Sequence, residues 1–154
     1  MHILINKKYL TYKNYKLKCA LGKRGIGYKK KEGDLITPVG KYKIKYILYR
    51  KDRIKKNMGW CNDPESKDYN KLIKLPSDFS FEKLYKKENI YDIVLVLDYN
   101  MNPIIKNKGS AIFIHVAKKN YKKTEGCMAL RKIHLLKIIK LLESNTKVKI
   151  VNQK

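Results

Sequence analysis

The chain has 154 residues, enough to bury a core without disulfides or a structural metal, and is 44% hydrophobic and 32% charged, a balance that excludes intrinsic disorder. No apolar run approaches the ~18–20 residues that span a bilayer, and the start, MHILINKKYL, has neither a sustained apolar region nor a small-residue cleavage site. Against 13 acidic residues stand 37 basic ones, giving +24, yet only Arg24, Arg50, Arg53 and Arg131 are arginines. Nucleic-acid sites favour the planar guanidinium, so nucleic acid is a disfavoured partner. Lys, Asn, Ile and Tyr make up nearly half the chain, and their codons are rich in A and T. Two readings of the charge therefore stand side by side: base-composition background, or an anionic wall or membrane surface as partner.

In chain order, Met1–Ile5 reads as a short strand. Tyr15–Cys19 and Tyr42–Leu48 alternate apolar residues with Lys16, Lys18, Lys43 and Lys45, the pattern of half-buried strands with a lysine-studded solvent face. Between them, Gly22 to Gly40 holds five glycines and Pro38, and Asn57 to Pro76 is a second turn-rich stretch. Loops of that length are often functional. Phe81 to Glu88 reads as a short helix with Ser80 as N-cap. Tyr91–Leu97 and Ala111–Ala117 are apolar on both faces and read as central strands. Lys132 to Glu143 reads as a longer helix, with Leu135, Ile138, Ile139 and Leu142 on one face and Lys137 and Lys140 opposite. Val148–Val151 closes the chain as a strand. The expected fold is mainly β: one domain over 1–154, a β-sandwich with a long late helix and a short one.

The chemistry concentrates in Gly109 to Arg131. His115 sits on a two-sided apolar strand, a costly place for a titratable ring. Twelve residues on, Thr124-Glu125-Gly126-Cys127 places a glycine directly before a cysteine. Such a turn can aim backbone N–H groups at a reacting oxygen, and an imidazole near a thiol can activate it. The pair is a candidate Cys–His acyl-transfer dyad; a core histidine and an inert core cysteine are the alternative. Cys19, Cys61 and Cys127 show no metal-ligand spacing, and their odd number leaves at least one free thiol.

The runs Gly109-Ser110-Ala111-Ile112-Phe113-Ile114-His115 and Thr124-Glu125-Gly126-Cys127 resemble the catalytic core of the L,D-transpeptidase (YkuD-type) family. Glu32-Gly33-Asp34 with Thr37-Pro38-Val39-Gly40, Tyr49 to Arg53, Gly59-Trp60-Cys61-Asn62-Asp63-Pro64 with Tyr69-Asn70, and Tyr91-Asp92 to Tyr99-Asn100 resemble further segments of that family in the same order. The resemblance covers roughly residues 20 to 142. It implies a cysteine that attacks a peptidoglycan stem peptide after its diamino acid, expels D-alanine, and passes the acyl group to an amine (transpeptidation) or to water (carboxypeptidation), in the service of bacterial cell-wall biogenesis and cell shape. Carried over, Cys127 is the nucleophile and His115 the base. The Val116 backbone carbonyl orients the ring, and N–H groups around Glu125, Gly126 and Cys127 form the oxyanion hole. No metal or organic cofactor is implied, and a monomer is expected.

One departure stands out: the best-known branch has His where this chain has Glu125. A carboxylate aimed inward there would raise the thiol pKa, so Glu125 is expected to point outward or to meet a substrate amine. Arg131 is a candidate for a substrate carboxylate, with a helix-start role as the alternative. Trp60 reads as a stacking wall or as an apolar anchor, Tyr69 and Asn70 as cleft residues or turn formers, Cys61 as structural, and His134 as exposed. The family implies the cell envelope or periplasm; with no leader legible, a cytoplasmic location stays open. A polyanion-binding module and an inactive wall-binding family member are the competing functions.

Overall fold

The computed structural model describes residues 1–50 and 54–153. The strands are β1 Ile3–Asn6, β2 Tyr9–Tyr12, β3 Tyr15–Lys18, β4 Ile26–Gly27, β5 Thr37–Pro38, β6 Gly40–Tyr49, β7 Met58–Cys61, β8 Leu72–Lys74, β9 Phe81–Lys83, β10 Ile93–Leu97, β11 Phe113–Val116, β12 Met128–Leu130 and β13 Lys147–Val151. One α-helix, α1, spans Lys132–Leu141, and 3-10 turns lie at Asn89–Tyr91 and Lys119–Tyr121. The fold is mainly β, as expected.

Eight strands form one large sheet in the order β12-β11-β10-β6-β13-β1-β2-β3. The ten-residue β6 serves both halves, pairing with β10 along Ile44–Tyr49 and with β13 along Gly40–Lys43. A bridge between Ala20, just past β3, and Ala129 in β12 brings the far ends of the sheet together. The sheet thus wraps a core of Ile3, Ile5, Leu10, Leu95, Ile114, Met128, Val148 and Ile150, with α1 inserting Leu135 and Ile138.

Strand β10 is buried at every position because it is covered on both sides. Ile93, Leu95 and Leu97 enter that main core, whereas Val94 and Val96 join Trp60, Leu84 and Phe113 in a second one. The second core is roofed by the three-stranded sheet β8-β7-β9. The expected short helix at Phe81–Glu88 does not form. Phe81–Lys83 instead pairs with β7, Glu82 opposite Trp60, and Leu84 is fully buried. An eight-residue segment gains too little from helical hydrogen bonds alone to resist a strand partner and an apolar pocket. The same pairing makes Gly59-Trp60-Cys61, read as loop, a strand. The late helix forms but ends at Leu141, since Leu142 is already extended (φ −64°, ψ 142°). Part of the Tyr49 to Arg53 motif lies outside the described residues.

Candidate active site

His115 lies in β11, whose side chains alternate between the two cores: Ile114 and Val116 face the main one, Phe113 the second. His115 shares the Phe113 side and is 6% exposed. Its ring meets the Tyr91 ring edge to face, centroids 5.4 Å apart. Nδ1 is 2.9 Å from the Val116 carbonyl oxygen. A carbonyl can only accept, so Nδ1 carries the hydrogen and the Nε2 lone pair is left for other work.

Cys127 immediately precedes β12, which runs parallel to β11 with Ile114 opposite Met128 and His115 opposite Ala129. Continuing this register sets Cys127 beside Phe113, and the Phe113 N–H donates to Sγ at 3.4 Å. Because side chains alternate, Cys127 and His115 fall on the same face of neighbouring strands, as diagonal neighbours. Sγ in turn donates to the Ala111 carbonyl at 3.1 Å. Both residues line one open cleft of about 360 Å³.

The turn before Cys127 is tightly tied. The Thr124 hydroxyl donates to the Cys127 carbonyl at 2.6 Å and accepts the Gly126 N–H at 3.1 Å. Gly126 has φ +141°, and a Cβ there would lie 3.0 Å from the Ile36 carbonyl oxygen, so glycine is required twice over. Thr37, fully buried, donates to the Gly126 carbonyl at 2.8 Å and accepts the Gly22 N–H at 2.9 Å. Asp34 holds the neighbouring turn by accepting from Lys29 Nζ at 2.6 Å and from the Lys30 and Ile36 N–H groups. Burial alone would raise the Asp34 pKa; the Lys29 ammonium and those N–H groups outweigh it and hold the carboxyl below its ordinary value.

Burial dominates the electrostatics of the pair. It pushes the His115 pKa down to about 4, only partly opposed by the Val116 carbonyl. Desolvation pushes the thiol of Cys127, itself partly exposed to the cleft, up to about 12, against the opposing Phe113 N–H. The resting pair is therefore neutral thiol and neutral imidazole at neutral pH. The surrounding cleft carries both signs with lysine in excess: Lys23, Lys29, Lys86, Lys118, Lys122 and Lys123 against Glu32, Glu82 and Glu125. Among the described residues no three His, Cys, Asp or Glu side chains converge as metal ligands would.

The remaining sequence candidates separate. Glu125 is exposed and lines the cleft. Arg131 does not line it: it is exposed at the N-cap of α1, where its carbonyl accepts the Leu135 N–H at 3.0 Å. Trp60 is not a stacking wall, being 1% exposed and packed edge to face on Phe113 at 5.4 Å. Its Nε1 donates to Asn70 Oδ1 at 3.0 Å. Asn70 is buried too, its amide donating to the Tyr99 and Asn100 carbonyls at 2.9 Å each. Tyr69 donates to Glu32 Oε1 at 2.7 Å and accepts the Gly109 N–H at 2.8 Å. These three brace the segment leading to β11 from behind the cleft. Cys61 and Cys19 are buried free thiols, and His134 is half-buried rather than exposed. Sequence reasoning missed the roles of Tyr91, the Ala111 carbonyl and Thr37, although all three residues lay within quoted motifs.

A family model described as "L,D-transpeptidase catalytic domain" (YkuD) matches residues 2–150. Among solved structures, the helical cell shape determining protein Pgp2 from Campylobacter jejuni is similar in fold, with TM-score 0.56 and 21% identity over 99% of this chain. A lysine-to-alanine mutant of Pgp2 gives the same values. The chain spans about half, 47%, of the length of those proteins. No curated protein matches. With the family model covering nearly the whole chain, this protein belongs to the L,D-transpeptidase catalytic-domain (YkuD) family.

Proposed function

We propose that the domain performs cysteine-dependent acyl transfer on peptidoglycan stem peptides. The observation that carries this reading is the placement of the Cys127 thiol and a His115 ring oriented by the Val116 carbonyl on one face, in one open cleft. With a thiol near pKa 12 beside an imidazole near 4, a preformed thiolate–imidazolium pair is disfavoured. Proton transfer from Sγ to His115 Nε2 accompanies attack, as general-base catalysis, a contribution of about 10²–10⁴ in rate. Cys127 leaves its resting hydrogen bond to Ala111 and Sγ bonds to the stem-peptide carbonyl carbon.

The resulting oxyanion is met by N–H groups around Glu125, Gly126 and Cys127. The Gly126 N–H is engaged by Thr124 Oγ1 at rest, a bond that must loosen if this group is to serve. Collapse breaks the C–N bond, and His115 returns the proton to the departing D-alanine amine. The acyl group then passes to a neighbouring stem's amine or to water: His115 takes the acceptor's proton as the new C–N or C–O bond forms, the C–S bond breaks, and the ring returns that proton to Cys127 Sγ. Glu125 and the cleft lysines face the bound peptide; an ammonium and carboxylates on it would find partners there. The reading places the domain at the cell envelope.

Incubation with a carbapenem, followed by intact-mass measurement, tests the proposal. One acyl adduct is expected on the wild type and none on Cys127→Ala. An unmodified wild type, or an equal adduct on Cys127→Ala, would sink it. Release of D-alanine from tetrapeptide muropeptides, lost in His115→Gln, tests the substrate class.

A further inference from the structure

Strands β6, β13, β1, β2 and β3 turn one face to the main core and the other outward. Their registers carry the outward positions across in rows: Lys41 opposite Lys149, then Leu4, Thr11 and Lys16. An adjoining row sets Lys43 opposite Lys147, and at the far edge Tyr9 lies opposite Lys18. Like charges directly opposite one another destabilise a sheet, and here two such lysine pairs lie side by side. Among the described residues none of these six lysines forms an ion pair. Two carboxylates reach its border: Asp98 accepts the Lys43 N–H at 2.8 Å, and Glu143 pairs with Lys13 at 3.0 Å. Slight desolvation together with Lys41, the N-terminus, Lys147 and Lys149 holds His2 below its ordinary pKa, a sign of the positive field there.

An A/T-rich base composition accounts for many lysines but not for where carboxylates are missing. Residues 1–31 hold ten Lys and Arg and no Asp or Glu, and residues 35–51 again hold no Asp or Glu. Residues 126–154 hold seven basic residues and one acid, Glu143. These stretches supply all five strands of the face, while eleven of the 13 acids fall in residues 32–34 and 63–125, with the cleft and the smaller sheet. The charge is segregated, not spread.

We propose that this lysine face docks the domain on a planar anionic phospholipid surface. Five strands about 4.8 Å apart make a face roughly 20 Å across. Lysine ammoniums act on an anionic membrane as additive point charges, needing no paired geometry. Duplex nucleic acid calls instead for arginine forks on an element that enters a groove, and no arginine lies on these five strands. Leu4, 36% exposed, sits mid-face, and Tyr9 lies beneath Lys16 at 4.7 Å, an apolar-and-aromatic setting suited to a headgroup boundary. None of these residues lines the Cys127 cleft, so docking and acyl transfer can be measured separately.

Co-sedimentation with phosphatidylglycerol-containing and pure phosphatidylcholine vesicles at about 0.1 M salt is the test. Binding is expected only to the former. The quadruple variant Lys41→Gln, Lys43→Gln, Lys147→Gln, Lys149→Gln should partition at least ~10-fold more weakly. Its Tm should not fall, because repulsion across two strand pairs is removed. The control Lys55→Gln, Lys56→Gln, Lys71→Gln, Lys74→Gln makes the same charge change in and beside the smaller sheet, outside the five strands of the face, and should bind nearly as wild type. Equal loss in both variants would reduce the effect to net charge and overturn the proposal. So would equal binding to both vesicles, or tighter binding to a DNA duplex that the face variant abolishes.

Discussion

Asn70 and Ala111 are joined by a hydrogen bond, Ala111 N–H to Asn70 Oδ1 at 3.1 Å, and the Ala111 carbonyl accepts the Cys127 thiol at 3.1 Å. Ala111 is held at φ +55°, a region costly for a residue with a Cβ. A buried asparagine forty-one residues away thus fixes the carbonyl that positions the nucleophile at rest.

Asn70→Ala should lower the rate of carbapenem acylation and destabilise the fold by about 2–4 kcal/mol. The substitution strands the Trp60 Nε1–H and Ala111 N–H as donors, and the Tyr99 and Asn100 carbonyls as acceptors. Urea unfolding and stopped-flow acylation measure the two effects. A Trp60→Phe variant, which removes one of those donors along with its acceptor demand, should retain more of both.

Thr37→Val replaces a fully buried hydroxyl by a methyl group of similar size. It leaves the Gly126 carbonyl and the Gly22 N–H without their partner, at a cost of about 1–3 kcal/mol. Because the turn it releases carries Cys127, acylation should slow beyond any thermal loss, which a rate measurement well below Tm resolves.

The acylation rate should rise with pH through about 4 and change little toward neutrality. His115 is the proton acceptor only when neutral, and its pKa is pushed down to about 4. The raised thiol, at about 12, predicts slow alkylation of Cys127 by iodoacetamide near pH 7 in the absence of substrate.

The same shift makes His115 a source of acid lability. The folded state favours the neutral ring, so the unfolded chain binds the proton more readily. The contribution is complete above the unfolded value of 6.5 and is lost as pH falls from there to about 4, amounting to about 3 kcal/mol. Denaturant midpoints of wild type and His115→Gln across that window should converge as pH drops.

Strand periodicity was legible because half-buried strands must alternate and doubly covered ones must not. Strand β6 contains the whole of Tyr42–Leu48, and β10 forms over Ile93–Leu97, while Tyr91, expected to open that strand, belongs to a 3-10 turn. The Phe81–Glu88 segment misled because its spacing suits a helix, while its partner, β7, lies twenty residues away in sequence. Trp60, Tyr69 and Asn70 stood out as residues worth naming, but only packing shows them behind the cleft rather than in it.

The sequence by itself determined the family, the mainly-β class, and the proposed nucleophile and base, because motif residues and backbone alternation are local properties. Tertiary structure decided which atoms meet. The parallel pairing of β11 with β12 sets Cys127 diagonal to His115, desolvation of the buried ring and of the partly buried thiol sets their protonation, and the wrapped sheet gathers lysines from distant segments onto one face. Contact, desolvation and summed charge depend on distances in space, which residue spacing along the chain does not contain.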